Sequence, residues 1–83
     1  MSRKLNFKMD TGFGWTWSTS FTENQALKII AAPVGTTLSF RGKMKVYIGV
    51  NDITFSVMTQ NTGTSFEDFP RDKVTDELRK LLA

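Results

Sequence analysis

The chain contains no cysteine and no histidine. Without cysteine there are no disulfides and no thiolate metal sites. Without histidine the commonest general base, the commonest metal ligand and the usual nucleophilic triads are all excluded. Long apolar runs are missing as well. The longest, Ile29-Ile30-Ala31-Ala32-Pro33-Val34, is far short of the roughly 20 residues needed to cross a bilayer as a helix. Arg3 and Lys4 are followed by the alternating Leu5-Asn6-Phe7-Lys8 rather than by the apolar core of a signal peptide. The expectation is a complete, soluble, cytoplasmic product.

Catalysis would have to use carboxylate, lysine, tyrosine or hydroxyl chemistry. Glu67, Asp68 and Asp72 are the one acidic cluster, and acids just before a helix are explained by its positive N-terminal end. Gly12-Phe13-Gly14 is a lone G-x-G, and a phosphate-cradling loop needs more glycines and a helix directly after them. Here a strand follows. No enzyme, catalytic residue, metal site or cofactor is therefore expected.

What is present is a globular composition, 40% hydrophobic and 23% charged, in a length that fits a single domain, 1–83. Seven Phe and two Trp offset the small size, since each aromatic buries about 150–250 Å². Net charge is +3, and its distribution is uneven: residues 1–64 carry a balance of +4 and residues 65–83 one of −1.

Hydrophobic periodicity gives the order ββαβββα. Leu5, Phe7 and Met9 alternate with polar neighbours, as do Trp15, Trp17, Thr19 and Phe21. A three-residue loop between these strands sets Met9 opposite Trp15; a five-residue loop keeps the same residues inward. Core packing is expected for both tryptophans. Thr22 and Gln25 fit a capping box with Phe21 and Ala26 as its hydrophobic staple, predicting a helix over 23–31 that buries Leu27, Ile30 and Ala26 or Ala31. Pro33 stops it.

Leu38 and Phe40 point inward on the next strand, and a turn at Arg41-Gly42-Lys43 pairs Phe40 with Met44 and Leu38 with Val46. The alternative, with the same inward parity, is one long strand bent at Gly42. Lys43 to Gln60 then reads as a hairpin around Asn51-Asp52, with Val50 facing Ile53, Ile48 facing Phe55 and Val46 facing Val57. Asn61 to Thr64 reads as a loop, after which Phe66 and Phe69 pack under the sheet. Val74, Leu78, Leu81 and Leu82 form the apolar stripe of a helix over 71–82, with an Asp76 to Lys80 pair on its surface. The fold class expected is α+β: a mostly antiparallel sheet of about five strands with two helices packed on one face.

Side-chain parity assigns Lys4, Lys8, Arg41, Lys43 and Lys45 to the solvent face of that sheet, with Ser and Thr hydroxyls around them. Tyr47 and Met58 share this face, and Phe13 sits at a loop tip where it either folds back or meets a partner. These eight residues are the candidate binding set. The function expected is a small regulator or inhibitor that engages a larger protein or nucleoprotein through the basic face or a sheet edge. The alternative is direct binding of single-stranded RNA or DNA. Five cations on phosphates would then give log K a slope of about −3.5 against log[salt]. A free sheet edge also permits a homodimer. Such stand-alone domains are common among small bacterial and phage reading frames.

Overall fold

In a computed structural model, which describes residues 3–40, 44–59 and 63–83, the chain folds into two helices and six strands. The order is β1 (Lys4–Asp10), β2 (Thr16–Thr22), α1 (Glu23–Ala31), β3 (Thr37–Phe40), β4 (Met44–Ile48), β5 (Asp52–Thr59), β6 (Gly63–Pro70) and α2 (Arg71–Leu82). The class is α+β, and every strand pairing is antiparallel. Instead of about five strands in one sheet, six strands form two: β1-β2 alone, and β3-β4-β5-β6 in sequence order.

The alternation read from the sequence decides which side of each strand is buried. Leu5, Phe7 and Met9 on β1, Val46 and Ile48 on β4, and Ile53 and Phe55 on β5 all enter one core cluster. The two sheets meet through aromatic rings. Phe55 lies 5.7 Å from Phe7, 6.0 Å from Phe21 and 5.0 Å from Trp17, while Trp17 lies 5.7 Å from Phe69. Ala26 and Ile29 of α1 and Val74 and Leu78 of α2 join the same cluster.

Thr22 caps α1 as a capping box: its hydroxyl accepts from the Gln25 amide at 3.2 Å, and the Gln25 side chain accepts from the Thr22 amide at 2.9 Å. The staple residues Phe21 and Ala26 are both buried, and this sets the rotation of the helix. With Ala26 inward, Ile29 and Ile30 share its face at i+3 and i+4. Leu27 lies about 100° around the helix and is exposed, as is Ala31; Ile29 takes the core position expected of Leu27. On α2 the surface ion pair is Asp76 with Arg79 at 3.8 Å rather than Asp76 with Lys80. Arg3 binds the two helices together. Its guanidinium donates to the Leu81 and Leu82 carbonyls, both at 3.2 Å, and pairs with Glu23 at 3.6 Å. A cation there complements the negative end of α2.

The β1-β2 register is one of the two the sequence allows, and the β4-β5 register differs from the sequence reading by two residues. In β1-β2 the five-residue loop is the one formed, so Met9 faces Trp17 and Phe7 faces Thr19. Trp15 is drawn into the loop and is 49% exposed, not in the core. The loop is held by its own bonds: the Thr11 amide and hydroxyl both donate to the Trp15 carbonyl, at 3.1 and 2.8 Å, and Asp10 accepts from the Gly12 amide. Gly12 and Gly14 adopt φ of +82° and +88° on either side of Phe13, a conformation glycine enters without steric cost.

In β4-β5 the connecting residues are Val50-Asn51, not Asn51-Asp52. Ile48 faces Ile53, Val46 faces Phe55 and Met44 faces Val57, and Val50 is 70% exposed instead of inward. Two backbone bonds account for the shift. The Gly49 amide donates to the Asp52 carbonyl, and the Arg71 amide at the start of α2 donates to the Asn51 carbonyl, both at 2.8 Å. A side chain at Gly49 would come within 2.8 Å of the Asp52 carbonyl oxygen. Between β3 and β4, Phe40 faces Met44 and Leu38 faces Val46, the register expected; the Arg41-Gly42-Lys43 turn itself lies outside the described residues.

Candidate functional site

The outer face of the four-stranded sheet is built by parity. Across β3 to β6 one row runs Thr37, Tyr47, Thr54, Asp68, and the next runs Ser39, Lys45, Ser56, Phe66. Beyond them Met58 faces Thr64. Tyr47, Met58 and Phe66 are all exposed, Phe66 to 61%. With Lys45, Ser56 and Thr64 they line a groove of about 300 Å³. Ser56 is its floor: although it faces outward, it is only 7% exposed, because Lys45 and Phe66 flank it on the neighbouring strands. At the far end of the face, the Thr54 hydroxyl donates to Asp68.

Phe66 was expected beneath the sheet with Phe69. Residues 63–70 form a strand, which takes in Gly63 and Thr64 of the loop expected over 61–64, and on a strand two residues three apart take opposite faces. Phe69 is accordingly buried opposite Ile53, while Phe66 faces outward opposite Ser56. The same alternation separates Glu67 from Asp68, so these acids do not converge. Phe66 is the site residue that sequence reasoning missed. Neither face of Thr64-Ser65-Phe66-Glu67-Asp68-Phe69 is uniformly apolar, so periodicity alone gives no orientation. Pairing with β5 is what supplies it.

Of the candidate residues, Lys45, Tyr47 and Met58 come together. Lys4 and Lys8 do not join them, being on β1 in the other sheet. Lys8 lines a separate groove of about 310 Å³ with Asp10, Lys73, Asp76, Glu77 and Lys80, where acids and bases balance. The single basic face expected from parity is thus divided, because parity fixes a side of a strand but not the sheet to which the strand belongs. Arg41 and Lys43 lie outside the described residues. Phe13 does not fold back; it is 86% exposed at the tip of the β1-β2 loop.

Among the described residues no helix is long and apolar enough to cross a membrane. Comparison with protein-family models, curated proteins and solved structures yields no match.

Proposed function

We propose that the chain is a non-enzymatic binding protein that engages a larger protein, free or within a nucleoprotein, through the outer face of the four-stranded sheet. The observation that carries this reading is the convergence of Tyr47, Met58 and Phe66 around Lys45 on a face that contributes nothing to the core. Tyrosine, phenylalanine and methionine are enriched in protein interfaces relative to other surface, and contiguous exposed apolar patches mark interaction sites. An apolar side chain of the partner would fill the groove over Ser56, with an acidic neighbour on Lys45.

A second reading, single-stranded nucleic acid, draws support from Tyr47 and Phe66. Two rings on one sheet face, with Lys45 on the same strand as Tyr47, offer a stacking platform and a phosphate contact. With Lys45 as the single phosphate contact, log K would fall with log[salt] at a slope of about −0.7 rather than −3.5.

Affinity capture with nuclease treatment separates the two. The protein reading expects a stoichiometric complex that survives nuclease and that Tyr47→Ala with Phe66→Ala weakens by about 30-fold or more, the effect of losing about 2 kcal/mol at an interface centre. The circular dichroism spectrum should be unchanged. A complex lost on nuclease treatment transfers the function to the second reading, and one insensitive to both substitutions removes this face from either.

A further inference from the structure

The four-stranded sheet has two edges, and they differ. β3 is four residues long, and a short edge strand offers little for another chain to pair with. β6 is eight residues long, pairs with β5 in an uninterrupted register, and presents Thr64, Ser65, Phe66 and Asp68 exposed. It carries no Lys or Arg, no bulge, and no proline before Pro70; its charged residues are the adjacent acids Glu67 and Asp68, so most of the usual devices that protect an edge are missing. Among the described residues, no hydrogen bond reaches residues 64–68 from the side away from β5.

We propose that β6 pairs antiparallel with β6 of a second copy about a two-fold axis at Phe66, joining two four-stranded sheets into one of eight strands. Charge narrows the choice of register. Directly opposed residues must share a face, so the axis falls on a residue. Centred on Glu67 or Asp68, the pairing would oppose two like carboxylates. Centred on Phe66, it opposes Phe66 to its own copy, Ser65 to Glu67 and Thr64 to Asp68, with every acid opposite a hydroxyl. The two Phe66 rings meet on the outer face, and the two grooves adjoin across them while Tyr47, Lys45 and Met58 stay open. This pairing stands independently of what the groove binds. A contact of this length lies below the roughly 1,000 Å² of a stable interface, so the dimer forms in proportion to concentration.

A cysteine-free chain permits a clean test by oxidative cross-linking of single-cysteine variants. Phe66→Cys is expected to give a disulfide-linked dimer in severalfold excess over Ser39→Cys, which lies in the same row of the same face at the opposite edge. A mixture of Thr64→Cys and Asp68→Cys should cross-link more than either variant alone. Ser65→Glu, added to Phe66→Cys, sets a carboxylate opposite Glu67 of the second copy and should suppress the dimer; further addition of Glu67→Lys should restore it. Equal yields from Phe66→Cys and Ser39→Cys, or a mixture no better than its components, would overturn the proposal. The comparison of those two variants stands even if Ser65→Glu fails to fold.

Discussion

Replacing Phe55 with alanine should destabilise the fold by about 3–5 kcal/mol, the range for truncating a buried aromatic. Phe55 has no exposed surface and sits where the two sheets meet, with the rings of Phe7, Trp17, Phe21 and Phe69 all within 6.1 Å between centroids. The loss includes apolar burial, an unfilled cavity and tilted ring contacts worth about 0.5–1.5 kcal/mol each. Strands on opposite sides of the core hold these rings, so no single element can move to refill the space. A domain of this size has only about 5–15 kcal/mol in total. Thermal unfolding of Phe55→Ala should therefore move down by roughly 12–40 °C. A shift of only a few degrees would mean that the sheets do not pack through this residue.

The two tryptophans should respond very differently to the same substitution. Trp17 is partly buried and packs its ring on Phe7, Phe55 and Phe69 at 6.3, 5.0 and 5.7 Å; Trp17→Ala should cost about 2–4 kcal/mol. Trp15 contributes its backbone carbonyl to the loop but leaves half its side chain in solvent, so Trp15→Ala should cost less than about 1 kcal/mol. Urea midpoints measure both. Fluorescence gives an independent check: Trp15→Phe leaves a shielded emitter that acrylamide quenches weakly, and Trp17→Phe leaves an accessible one. Equal costs would restore the three-residue loop, in which both indoles face inward.

That contrast marks what could be read from the chain by itself. Local signals were decisive where they closed on themselves. The Thr22 and Gln25 box set the start of α1, the leucine stripe set both ends of α2, and Phe40 opposite Met44 set the β3-β4 register. Strand parity was equally legible, because a register error of two residues leaves every side chain on its own face. The hairpin turns were not, since their position depends on bonds made elsewhere: Arg71 to Asn51 at one, Thr11 to Trp15 at the other. Nor could the chain reveal that β1-β2 separates from the other strands, and this is why Lys4 and Lys8 part from Lys45. Within the site, Lys45, Tyr47 and Met58 followed from alternation on β4 and β5. Phe66 did not, because β6 mixes polar and apolar residues on both sides.

The proposed function requires that the outer surface of β4, β5 and β6 be the place where a partner is met. Backbone amide NMR of the isotope-labelled chain, titrated with the captured partner, tests it most directly. The shifts that change most should belong to Lys45, Tyr47, Ser56, Met58 and Phe66. Changes confined to the Thr11 to Trp15 loop around Phe13, or to the Lys8 groove along α2, would contradict it.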